Sequence, residues 1–213
     1  MTTKHRLSKI LIIALSILTI IVALSTLALI FVPKITFNAQ SVVNKEFPDY
    51  NANSQISESR KTLLGIVKTE WETAVVNESS FNILDPYANG VKYAEENREP
   101  WCADFVSWVY QEAGRPLQNP NNGGWRIPGI YTLKEYLDEK GAWRDAGNYI
   151  PTPGDIIIYN GGLFGGHTNL VIDVDGDNVT TVGGNENGII MMRTYNYTDS
   201  QYGIWGFGNF DAL

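Results

Sequence analysis

The chain has 213 residues, with 23 acidic against 16 basic side chains and a net charge of −7. Three basic and no acidic residues fall among the first 33, so everything after them carries −10. Beyond Lys34 there is no Lys/Arg cluster to neutralise phosphates, which excludes nucleic-acid binding.

Residues 10–32 are 23 consecutive uncharged residues, mostly Ile, Leu, Val and Ala. A helix of that length spans about 35 Å, enough to cross a hydrocarbon core of about 30 Å. Lys4, Arg6 and Lys9 precede the run and only Lys34 follows closely. That bias keeps residues 1–9 in the cytoplasm and exports the rest of the chain. The run exceeds the apolar core of a cleaved signal peptide, about 7–15 residues, so a retained single-pass anchor is expected; cleavage is the alternative, which would make the rest a secreted protein. Residues 33–58 are polar, rich in Asn and Ser and without sustained periodicity, and read as a stalk. Residues 59–213 fit one domain with one core.

Within that domain helices precede strands. Ser59 is placed to cap a helix with Leu63, Ile66, Val67, Trp71 and Ala74 on one face. Asp85-Pro86 reads as a cap and first helical residue, with Tyr87, Val91 and Ala94 at helical spacing. In "PWCADFVSWVYQEAG" the residues Cys102, Phe105, Val106, Val109, Tyr110 and Ala113 share a face, closed by Gly114 and Pro116. A short fourth helix is expected from Thr132 to Lys140. After "PTPGD" the chain turns to short β-branched or aromatic runs separated by Gly, Asn and Asp: "DIIIY", "HTNLVIDV", "NVTTVGG", "GIIMMR" and "GIWGF". Helices followed by an antiparallel sheet make an α+β domain.

Cys102 is the only cysteine of the chain, so no disulfide partner exists within it. On the apolar face of its helix it can serve as plain core. In the first turn, however, free backbone N–H groups and the positive end of the helix dipole favour an anion, and with it the nucleophilic thiolate. The same N–H groups can receive a substrate oxyanion. Of the two histidines, His5 lies in the expected cytoplasmic tail, which leaves His167, behind a Gly-rich turn at a strand start, as either the candidate base or an incidental surface histidine.

These blocks, "WCADFVSWVYQEAG", "PTPGDIIIY", "GHTNLVIDVDGDNVTTVGGNENG" and "IWGFG", resemble the CHAP family (cysteine, histidine-dependent amidohydrolase/peptidase) in kind and order, over roughly residues 61–213. The resemblance implies a papain-like α+β fold with the nucleophile's helix packed on an antiparallel sheet. It implies a hydrolase of peptidoglycan amide bonds at a bacterial cell membrane, with Cys102 as nucleophile and His167 as base, needing no cofactor. Two other readings use the same scaffold: an inactive cell-wall binding module, and an acyltransferase or transpeptidase.

The family orients its histidine with a polar residue on the following strand. "VGGNENG" offers Asn185 and Glu186, and Gly183 stands where many relatives carry a glutamate. A three-residue loop at Asp175–Asp177 sets His167 opposite Asn185, whereas a two-residue Gly176-Asp177 turn pairs it with Glu186. The family pattern selects Asn185. Some relatives bind calcium near the nucleophile through oxygen ligands; here Glu95, Asn97, Glu99 and Asp104 are the candidates. "DVDGDN" lacks the EF-hand spacing and reads as a hairpin turn. Zinc is poorly supported by one Cys and one exported His. Trp125 and Tyr131 are placed to line a groove or to anchor their loop.

Overall fold

The computed structural model describes residues 46–50, 55–76, 82, 84–161 and 166–213. The expected anchor at residues 10–32 lies outside them, as does most of the stalk; among the described residues no helix is long and apolar enough to cross a membrane. Among the described residues three α-helices, α1 (Glu58–Val76), α2 (Cys102–Glu112) and α3 (Ile130–Glu139), precede six strands: β1 (Trp143–Asp145), β2 (Ile156–Tyr159), β3 (His167–Asp175), β4 (Asn178–Glu186), β5 (Ile189–Asn196) and β6 (Ile204–Gly208). The strands form one sheet, β1-β6-β2-β3-β4-β5, with every neighbouring pair antiparallel. The α+β expectation holds.

The period-2 alternation of β2 and β3 sends Ile156, Ile158, Leu170 and Ile172 to the face covered by the helices. There they meet Leu63, Leu64 and Val67 of α1, Phe105, Val106 and Val109 of α2, and Leu133 and Leu137 of α3. Burying an aliphatic or aromatic side chain of this size is worth roughly 1.5–3 kcal/mol, so this layer dominates the stability. The opposite face carries a smaller cluster of Ile157, Val171, Val179, Tyr195 and Phe207. Gly184 permits β4 to run close under α2: a Cβ there would come within 2.5 Å of Trp101 and 2.6 Å of Phe105.

Several expectations are corrected. The first helix begins at Glu58, and Ser57 rather than Ser59 accepts from the Arg60 N–H, at 3.4 Å. The segment expected to be helical from Pro86 forms turns and a single 3-10 turn, Ala88–Gly90. Asn and Gly are poor helix formers there, and the Trp101 indole N–H takes the Pro86 carbonyl at 3.1 Å. The three-residue β1 escaped notice because its pairing with β6 creates it. The stalk expected over 33–58 is not a free spacer throughout. Phe47 is buried against Trp71, with ring centroids 5.9 Å apart, and the Tyr50 hydroxyl donates to the Ile172 carbonyl.

Candidate active site

Cys102 is the first residue of α2, buried at 6 % exposure, with Trp101 as its unassisted cap. The first helical hydrogen bond runs from the Phe105 N–H to the Trp101 carbonyl at 2.9 Å, so the N–H groups of residues 102–104 precede the ladder. Trp101 fixes the entry to the helix by stacking on Tyr93, with centroids 5.4 Å apart and planes 18° off parallel.

His167 opens β3 and pairs with Tyr159 of β2. Cys102 lies close enough to act on the charge of its imidazole, and its Nε2 lies 3.2 Å from Glu186 Oε1. With Nε2 turned to the carboxylate, Nδ1 is the ring nitrogen left for the sulfur. Glu186 is itself buried and fully engaged: Asn169 Nδ2 donates to Oε1 at 2.8 Å and Arg193 Nε donates to Oε2 at 2.7 Å. The imidazole thus meets the Glu186 carboxylate, with the Cys102 sulfur acting on the same ring.

The charges follow from these contacts. Burial pushes the His167 pKa down, but hydrogen bonds with Cys102 and Glu186 outweigh it and hold the imidazolium up to about 10. Burial pushes Glu186 up, and His167, Arg193 and Asn169 together bring it down to about 2. The two partners therefore share a wide pH range in which both are charged.

Asn185 does not face the imidazole. The hairpin has the two-residue turn, with Asp175 opposite Asn178 and Val174 opposite Val179. An extra residue at Ile172 then shifts the register, so that Val171 meets Thr181 and Leu170 meets Val182. Each expected register therefore holds over part of the hairpin. The deciding feature is a second irregularity in β4 between Gly183 and Glu186, where Asn185 adopts φ 58. Asn tolerates this left-handed conformation better than most residues. That twist brings Glu186 to the ring.

Gly183, the departure from the family pattern, also has a reason. A Cβ there would lie 1.8 Å from Asn169 Oδ1, so the Asn169 amide occupies the space. The carboxylate arrives instead from the bulge, three residues later. Asn169 and Arg193 were missed as partners. Asn169 was legible as the same-face neighbour of His167, two residues along β3, and Arg193 as the one charge in a strand that opens on four apolar residues.

Of the four oxygen donors considered for calcium, only Glu99 and Asp104 meet, and they meet on Arg126. Glu95 and Asn97 are exposed, while Arg126 pairs with both Glu99 and Asp104, its Nε standing 2.8 Å from Asp104 Oδ1. Among the described residues no group of three or more His, Cys, Asp or Glu is arranged to hold a metal. These donors, already met by a guanidinium, do not fit a calcium ion. Trp125 is half-buried, and Tyr131 is exposed with its ring edge-on to Trp205, 5.7 Å between centroids.

The model of the CHAP domain matches residues 94–185. No curated protein matches the chain. The chain is similar to the crystal structure of Ly7917, with 12% identity over 60% of this chain and 62% of that one, at a TM-score of 0.37. A second similar structure, Ly7917 with the hydrolyzing product of MDP, gives 15% identity over 59% and 62% of the two chains, at a TM-score of 0.35. The chain spans under two thirds of the length of either solved chain.

Proposed function

We propose that this chain, whose residues 94–185 match the model of the CHAP domain, hydrolyses amide bonds of peptidoglycan through Cys102, His167 and Glu186. The observation that carries this reading is the Cys102–His167–Glu186 grouping at the start of α2. A thiol at a helix start, beside an imidazolium that a buried carboxylate helps to hold charged, is the constellation of a cysteine acyl-transfer site.

In the first half-reaction the Cys102 sulfur attacks the amide carbonyl carbon. N–H groups at the start of α2 receive the oxyanion, and imidazolium His167 gives its proton to the leaving amine. The C–N bond breaks and a thioester remains. Water then attacks the thioester carbonyl while neutral His167 takes its proton. The acid departs, and the thiolate–imidazolium pair is restored. Glu186 keeps the ring in one tautomer and direction throughout. No step uses a cofactor.

Residues 10–32 would anchor the enzyme in the bacterial cell membrane with this domain on the outer side, where peptidoglycan lies. The scissile bond is an amide of the stem peptide: either its junction with muramic acid or one within the peptide. Incubating the full-length chain with purified peptidoglycan, then identifying new termini by mass spectrometry, tests the reading. New amine and carboxyl ends are expected, and neither should appear with Cys102→Ser.

A further inference from the structure

The mechanism above leaves one buried charge unused. Asp104 sits in the first turn of α2, two residues beyond Cys102 and fully buried, and neither of its oxygens receives a directed hydrogen bond. An ionised carboxylate at that depth is strongly disfavoured without a counter-charge. Arg126 supplies it, with Nε 2.8 Å from Oδ1, and pairs through Nη2 with Glu99. Burial, with the charge of Glu95 added, raises the Asp104 pKa to about 7, and burial lowers that of Arg126, so it is the 2.8 Å geometry that pairs them.

The delivery of this guanidinium is built into the fold. Asn119 Nδ2 donates to the Arg126 carbonyl at 2.8 Å. The next residue, Ile127, is buried, and its N–H donates to Ser107 Oγ of α2 at 3.1 Å. The Ser107 hydroxyl is shared between the carbonyls of Ile127, at 3.3 Å, and Ala103, at 2.9 Å. The loop bearing Arg126 is therefore clamped to the same helix whose first turn carries Asp104 and Cys102.

Carboxylates gathered beside a nucleophile form the hard-oxygen setting that a divalent cation completes in other proteins. Here the positive charge is covalently attached, planar and always ionised. We propose that Arg126 is the resident cation of this carboxylate pocket, standing in place of a calcium ion and positioning Cys102 by tying the first turn of α2 to the 119–127 loop. Arg126 touches no reacting atom; it acts through Asp104.

The test is thermal unfolding of the purified full-length chain in detergent, with calcium chloride or EDTA as the only variable, read beside turnover. The parent should melt at one temperature in both. Arg126→Gln should lower that temperature by roughly 5–15 °C, the scale of a broken buried ion pair in a domain of this size. Calcium should restore part of the loss in stability and turnover, since the vacated pocket keeps its oxygens. Arg126→Gln with Asp104→Asn should recover stability without calcium, because no buried charge remains to be met. If Arg126→Gln alone fails to fold, the double variant and Arg126→Lys, which keeps the charge without the fork, carry the comparison. A parent whose melting temperature falls on chelation overturns the proposal. So does an Arg126→Gln protein as stable as the parent, or one that neither calcium nor the Asp104→Asn change rescues. The melting readout does not depend on the substrate assigned above.

Discussion

Cys102 and Glu186 together decide the charge of the imidazole. The His167 pKa is raised from 6.5 to about 10, so its contribution to stability is complete below 6.5 and is lost as pH rises through about 10. The Glu186 pKa is lowered from 4.5 to about 2, so its contribution is present above 4.5 and disappears as pH falls through about 2. The site is therefore at full electrostatic strength between about 4.5 and 6.5, and loses its imidazolium only in alkali. Glu186→Gln removes one of the groups that hold the imidazolium. We expect turnover to fall about tenfold or more and the alkaline limb of the pH–activity profile to move down by about one unit or more. An alkaline limb that stays put in Glu186→Gln would remove the carboxylate from the site.

At the scale of elements, the bulge in β4 does for the site what a side-chain type alone cannot. Asn185 at φ 58 acts through its backbone, so Asn185→Gly should keep activity within a few-fold. Asn185→Val resists that conformation and should lower activity by withdrawing Glu186 from the ring. Were the Asn185 amide the orienting group, glycine would be as damaging as valine. This element also marks where sequence reasoning stops. The helix that starts at Cys102 and the strand that starts at His167 were legible, because helical spacing, a closing Gly114 and Pro116, and period-2 alternation are local signals. Glu186 over Asn185 was not. It rests on one extra residue at Ile172 and one left-handed residue at Asn185, which only the paired sheet reveals. The lost helix after Pro86 fails for a related reason, since Trp101 from the next segment claims its carbonyl.

Across the whole molecule, the Pro-Gly-Asp motif is a structural hub. Asp155 is fully buried and accepts from Arg60 at 3.0 Å, the Tyr149 hydroxyl at 2.8 Å, the Thr152 N–H at 2.9 Å and the Phe210 N–H at 3.0 Å. Arg60 reaches on to the Pro153 carbonyl at 2.6 Å and to Asp211 at 2.8 Å, joining α1, the start of β2 and the C-terminal turn. Breaking such a buried pair costs about 3–5 kcal/mol. Asp155→Ala should accordingly lower the melting temperature by roughly 5–15 °C, while the protein that remains folded keeps its KM. A changed KM with an unchanged melting point would mean that Asp155 serves substrate rather than structure.

The proposed chemistry is attack of the Cys102 thiol on an amide carbonyl, and one measurement addresses it directly. The full-length chain, incubated with purified peptidoglycan, should release fragments bearing new amine and carboxyl termini. Brief acid quenching should trap a covalent acyl adduct on Cys102 by mass spectrometry. Cys102→Ser, folded with the parent's melting temperature, should give neither fragments nor adduct. Fragments released at the parent rate by Cys102→Ser, or intact peptidoglycan after prolonged incubation with the parent enzyme, would contradict the account.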